Sequence, residues 1–156
     1  MITYKDKKTF TAQELSELFS SVGWLSANYP QELVRAMQGS STVFSAWDDE
    51  QLVGLINVLD DGVLSAYIHY LLVSPKWQGQ GTGSALVQLT REKYKEFLYL
   101  TVVPEEQKNI AFYEKCGFTI VTGATPMFIF NHDLSAKQGV TYRMGRLHFP
   151  VPIPNF

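Results

Sequence analysis

The stretch LLVSPKWQGQGTGSALVQL, residues 71–89, decides the fold. An apolar run ends at Pro75, glycines follow at alternate positions 79, 81 and 83, and a helical pattern opens at Thr82. Glycines just before a helix leave its unpaired N–H groups, and the positive end of its dipole, open to an anion. Alternating glycines also allow torsions that turn successive N–H groups inward. QGQGTGS therefore predicts a pyrophosphate cradle, with Gln78 and the hydroxyls of Thr82 and Ser84 as added donors. The competing reading is a glycine turn that serves only tight strand–helix packing.

Spacing separates the cradles this turn can be. A P-loop needs GxxxxGK[ST], and no lysine follows these glycines, which argues against ATP or GTP hydrolysis. A dinucleotide fingerprint needs GxGxxG; here Gly79-x-Gly81 is followed by Ser84 in the third place. Glu105 does follow at the distance that motif wants. The segments before the turn, however, read as hairpins rather than as serial βαβ units.

Working outward, TFTAQELSELFSSVGW carries a capping-box signature, with Thr11 at the cap and Glu14 three residues on. Leu15, Leu18, Phe19 and Val22 recur at helical spacing, and Gly23 ends the run. NYPQELVRAMQG predicts a second helix with Pro30 in its first turn and Gly39 at its close. The period then changes to strands over Thr42–Trp47, Gln51–Leu59 and Leu64–Val73, with Asp61-Gly62 as a hairpin signal. Short connections make these three antiparallel, after a first strand over Ile2–Tyr4. Beyond the glycine turn, a helix runs from Thr82 to about Lys95. Phe97–Val103 is apolar throughout, as a strand buried on both faces should be. A further helix covers EEQKNIAFYEKCGF, stopped by Gly117, and TIV (119–121) and MFIF (127–130) read as two short strands. The expected fold class is α/β: a mixed sheet with the glycine turn near its middle.

Composition bounds the function. The 156 residues suit one domain, and a hydrophobic share of 46% with 13% aromatics supports a core. A formal net charge of -2 argues against nucleic acid as a partner. Cys116 is the single cysteine, so neither an intrachain disulfide nor a multi-cysteine metal site forms, and no metal is expected. No apolar run approaches the roughly 20 residues that span a bilayer, and MITYKDKKTF lacks an apolar signal core. These missing signals set the expectation of a cytoplasmic protein that does not meet a membrane.

Two motifs in register carry a resemblance. LLVSPKWQGQGTGSALV resembles the acetyl-coenzyme A signature of the GNAT N-acetyltransferase superfamily: an apolar strand, V-x-P, then [R/Q]-x-x-G-x-[G/A] opening a helix. Gln78, Gly81 and Gly83 fill it. NIAFYEKCGF resembles the family's second feature, with Asn109, Phe112, Tyr113, Gly117 and Phe118. The order of elements over residues 1–130 is similar to the family fold, in which antiparallel N-terminal strands lead to a central splayed parallel pair. GWLSANYPQELVRAM with LVGLINVLDDG more loosely resembles a bacterial and plastid branch that acetylates small amines.

The resemblance implies acyl transfer from acetyl-CoA to a primary amine of a small molecule. The alternatives are N-terminal acetylation of a protein or peptide, and a non-catalytic acyl-CoA-binding module. The implied donor contacts are the backbone of Leu71, Leu72 and Val73, the turn from Gln78 and Gly79 through Gln80, Gly81, Thr82 and Gly83 to Ser84, and Asn109 and Phe112. A backbone N–H near Leu72 would meet the thioester oxygen, and Tyr113 would protonate the leaving thiolate.

The base is a departure from the family, many of whose members carry an acid where this chain has Tyr70. An aliphatic amine with a pKa of about 10.4 is only about 0.04% neutral at pH 7, so deprotonation matters. His69 has the suitable intrinsic pKa, or it is a packing residue. On a regular strand, His69 and Tyr70 face opposite ways unless the strand bulges. Asp60 and Asp61 read as turn residues. Trp24 and Tyr29 either wall an apolar or aromatic amine or pack as core aromatics. Residues 131–156, with Pro150, Pro152 and Pro154, suggest a strap over the chain's own sheet or across a homodimer partner.

Overall fold

The computed structural model describes residues 1–127 and 129, and the strap at 131–156 lies outside them. The chain divides into two compact units, Met1–Val103 and Pro104–Phe156. The first unit is built on a five-stranded mixed sheet in the order β1 (Ile2–Asp6), β2 (Thr42–Asp48), β3 (Gln51–Asp60), β4 (Ser65–Val73) and β5 (Tyr99–Val102). The first three pairings are antiparallel and the last is parallel. Three α-helices belong to this unit: α1 (Ala12–Ser21), α2 (Pro30–Gly39) and α3 (Thr82–Lys93).

Local chemistry explains the helix ends. The Thr11 hydroxyl accepts from the Glu14 amide at 3.1 Å, while the Thr11 amide donates to Glu14 Oε2 at 2.7 Å, which completes the capping box. At the other end Gly23 is left-handed, with φ 72°. There the Gly23 amide donates to Ser20 O and the Trp24 amide to Phe19 O, the paired bonds of a Schellman motif. Its hydrophobic contact is Trp24 on Phe19, with ring centroids 5.8 Å apart. Pro30 opens α2, where a missing N–H costs nothing.

Both sheet faces are covered. Leu15, Leu18, Phe19, Leu33 and Met37 from α1 and α2 are buried in one cluster with Val43, Trp47, Leu55 and Leu72. Gly54, the neighbour of Leu55, faces the other way. A Cβ built there would lie 3.5 Å from Leu86 of α3, so α3 covers the opposite face. The hairpin signal at Asp61-Gly62 holds: Asp61 Oδ1 accepts from the amides of Val63, Leu64 and Ser65, and Gly62 has φ 80°. The Ser65, Val63 and Leu64 amides hold the Asp61 carboxyl below the usual carboxylate range, as suits a turn acid rather than a base.

Two expectations are corrected. β5 is not buried on both faces: Tyr99 is 59% exposed and Leu98, just before it, 66%. Among the described residues it pairs only with β4. Neither do residues 119–127 form a strand. Ile120 and Val121 are exposed, and no described strand pairs with them. Of MFIF, Met127 and Ile129 are exposed and unstranded, and the other two residues lie outside the described set.

Candidate active site

The glycine turn joins the end of β4 to α3. Gly79 and Gly81 have φ 73° and 85°, torsions that disfavour any side chain, and a Cβ at either would point into open space. Gly81 is the N-cap of α3 and makes no side-chain cap bond. The first intrahelical bond is Ala85 N–H to Gly81 O at 2.9 Å, so the amides of Thr82, Gly83 and Ser84 have no intrahelical acceptor. The turn thus offers clustered donors at a positive helix end, as an anion cradle requires. Of the expected side-chain donors, one serves elsewhere and another is buried. Gln78 Nε2 donates to Val73 O at 2.7 Å and fastens the turn to the strand, and Thr82 is only 3% exposed. Gln80 Nε2 likewise donates back to Lys76 O at 2.8 Å.

The outer edge of β4 opens halfway along. Parallel pairing with β5 covers Ser65 to Ile68 and stops, while antiparallel pairing with β3 continues to Val73. Backbone direction along the open part follows by alternation. The Ser74 amide donates to Val53 O and the Tyr70 amide to Asn57 Oδ1, both toward β3. The Leu72 amide, between them in phase, is directed the same way. The amides of Leu71 and Val73 therefore face the splayed edge. The backbone N–H groups near Leu72 that face this edge are thus those of its two neighbours.

A bulge sits where the splay begins. Asn57 pairs with Tyr70 and Val58 with Ile68, which leaves His69 as the extra residue. Consecutive side chains on a regular strand diverge, yet the His69 and Tyr70 ring centroids are 4.2 Å apart. The bulge has brought them to one side. Tyr70 continues into a ring cluster with Phe19 at 5.1 Å and Trp24 at 5.5 Å, and Tyr67 lies 5.9 Å from His69. Burial pushes the His69 imidazole below its ordinary pKa, so it is largely neutral at pH 7 and able to accept a proton. Trp24 is partly buried against the core, while Tyr29 caps α2, is 44% exposed and stands outside the ring cluster.

The second unit carries the other motif. A 3₁₀ turn, Gln107–Asn109, leads into α4 (Ile110–Lys115), which is shorter than the helix expected over 105–117. Asn109 is the N-cap of α4 and makes no side-chain cap bond. The end of α4 repeats the α1 device. Gly117, with φ 89°, donates to Glu114 O, and the Phe118 amide donates to Tyr113 O. Phe118 packs edge-on against Tyr113 at 5.7 Å and Phe112 lies 5.1 Å from it, so the Gly-Phe of the motif fixes the Tyr113 ring.

The acetyltransferase (GNAT) family profile matches residues 9–118. The chain belongs to that family. This GNAT chain is 31% identical to the GNAT-family acetyltransferase SP0256 of Streptococcus pneumoniae, whose structure superposes with a TM-score of 0.73 over 85% of this chain and 100% of the other. It is 28% identical over 128 residues to an uncharacterized N-acetyltransferase, ycf52, of Pyropia yezoensis, across 75% of this chain and 72% of the relative. A probable acetyltransferase of Staphylococcus aureus, 20% identical with a TM-score of 0.74, covers 83% of this chain and 99% of its own and shares the fold. The protein is thus a GNAT acetyltransferase.

One residue behind the β4 edge escaped the sequence reading. Asn57, 1% exposed on β3, accepts from the amide at the bulge; a lone Asn in an apolar strand was the only signal. Glu105 was read only against a dinucleotide motif. In the second unit, burial, and then repulsion by Glu106, push its carboxyl up to about 7. Among the described residues no cluster of His, Cys, Asp and Glu could hold a metal ion, and no helix is long and apolar enough to cross a membrane.

Proposed function

We propose that this acetyltransferase moves an acetyl group from acetyl-CoA to a primary amine of a small molecule, directly and without an acyl-enzyme. The observation that carries the reading is the splayed β4 edge, with the Leu71 and Val73 amides outward, continuous with the uncapped N-terminus of α3. A pantetheine arm is an extended chain of amides that can pair with such an edge, and a pyrophosphate suits the donors that follow it. The donor supplies the thioester. The amides of residues 82–84 hold its phosphates, and Leu71 N–H stabilises the oxyanion, a contact worth about 3 to 4 kcal/mol in the transition state.

Neutral His69 accepts the proton lost by the attacking amine as the N–C bond forms. The C–S bond then breaks, and Tyr113, assigned by its motif, protonates the departing thiolate. Asn109 and Phe112 are assigned to the donor by the same motif. Trp24 and Tyr70 form an aromatic surface beside His69, which supports an acceptor with an apolar or aromatic body.

The test is thiol release from acetyl-CoA over a panel of small aliphatic and aromatic amines and short peptides. Turnover on small amines is expected, with Tyr113→Phe lowering kcat at least about tenfold and leaving acetyl-CoA affinity nearly unchanged. Turnover confined to peptides would replace the acceptor class. Tight acetyl-CoA binding without turnover on any acceptor would point to a binding module.

A further inference from the structure

Asn57 is buried in the middle of β3, 1% exposed, and uses both ends of its amide. Oδ1 accepts the Tyr70 N–H at 2.8 Å, and Nδ2 donates to Ser40 Oγ at 2.9 Å. The Ser40 hydroxyl donates in turn to Ala36 O at 2.8 Å, in the last turn of α2. A side-chain oxygen thus serves as an acceptor for the Tyr70 N–H at the point where His69 is the extra residue.

The choice of amides on the open edge hangs on this bond. Strand side chains and backbone groups alternate with period two, so a slip of one residue between His69 and Val73 reverses every one of them. With the bulge at His69, Leu71 and Val73 face the open edge, and the His69 and Tyr70 rings share a side. With the bulge lost or moved beyond Ser74, the outward set becomes Tyr70, Leu72 and Ser74, and the two rings part. An apolar residue at position 57 would remove this acceptor and, with it, the preference for this placement.

We propose that Asn57 is a positioning residue for acetyl transfer: its side-chain amide, held by Ser40 at the end of α2, fixes the β4 bulge and so selects which backbone N–H groups face the acyl donor. It touches neither substrate itself. The kinetic arm of its test rests on the acetyltransferase function proposed above, while the exchange arm does not.

The variants are Asn57→Leu, which has no acceptor, Asn57→Ser, whose hydroxyl is too short to reach the Tyr70 amide, and Asn57→Asp, which keeps the acceptor in place. Turnover is measured per CoA-binding site counted by calorimetry, so that misfolded protein does not register as slow enzyme. N57L and N57S are expected to lose about tenfold or more in kcat, with CoA affinity within about threefold, because the glycine turn lies beyond the bulge. N57D is expected to recover most of the loss. In amide hydrogen exchange, Tyr70 should lose protection in N57L and N57S and keep it in N57D, while β2 amides stay protected in all three. A kcat in N57L and N57S within about twofold of wild type would overturn the proposal, as would N57D no better than they are. Should wild type show no turnover, the acetyltransferase reading fails instead, and Tyr70 exchange alone decides whether the clamp exists.

Discussion

Glu105 holds its proton for reasons its neighbours make plain. Burial costs a carboxylate its hydration, and Glu106 beside it adds repulsion, so the pKa rises from 4.5 to about 7. A folded-state pKa above the unfolded one means that the folded chain binds the proton more tightly. The resulting stability is complete below about pH 4.5 and is lost as pH rises through about 7. Glu105→Gln removes the titration. The variant should melt with wild type near pH 4.5 and above it at pH 8, in thermal scans followed by circular dichroism. An equal offset at both pH values would show that Glu105 does not titrate between them. The reverse sign applies to His69: burial lowers its pKa, so its contribution is present above the ordinary imidazole value and is lost as pH falls through the lower folded one.

At the scale of elements, the glycine turn sets itself apart from ordinary loop geometry through Gly81. Its φ of 85° disfavours a side chain by about 1 to 2 kcal/mol, although a Cβ would meet no atom within 4 Å. Gly81→Ala should therefore lower the melting temperature modestly. It should weaken CoA binding by about tenfold or more, because the new methyl projects toward the anion and the strained cap turns the following amides away. Calorimetric titration with CoA checks this; unchanged affinity in a folded G81A would reduce the turn to a packing device. This element was legible because its signal is local: glycines, then a helix. So were the capping box at Thr11 and the strand–turn–strand run from Thr42 to Val73. The bulge at His69 was not, because it depends on Asn57, thirteen residues away and across a ladder. Phe97–Val103 misled for a related reason. Apolar content marks a strand, but only the neighbours show how many faces are covered, and here Tyr99 is exposed. TIV had β-branched residues and no described strand to pair with.

On the scale of the whole sheet, the strands stand in chain order, so remote parts of the first unit are tied mainly by helices and side chains. Tyr94, at the end of α3, is one such tie. Its buried hydroxyl donates to Asp60 Oδ2 at 2.5 Å, at the end of β3, and meets Thr42 Oγ1 of β2 at 2.8 Å. Lys93 beside it reaches Asp6 of β1 at 3.2 Å, so three strands and a helix end converge here. The ion pair is exposed and contributes little; the hydroxyl is the stronger element because it is shielded from water. Burial, with the Asp60 hydrogen bond second, raises its pKa to about 12. A raised folded-state pKa again means stability that is complete below the unfolded value of about 10 and lost as pH climbs toward 12. Tyr94→Phe deletes both bonds and should cost about 1 to 3 kcal/mol at pH 7, mostly from Thr42 and Asp60 left short of a partner. In urea titrations the gap between wild type and Y94F should narrow steadily from pH 10 to pH 12, because only wild type then has a phenol to ionise at position 94. A gap that stays constant across that range would mean that Tyr94 holds the sheet to α3 through ring packing on Phe97, at 4.9 Å, and not through its hydroxyl.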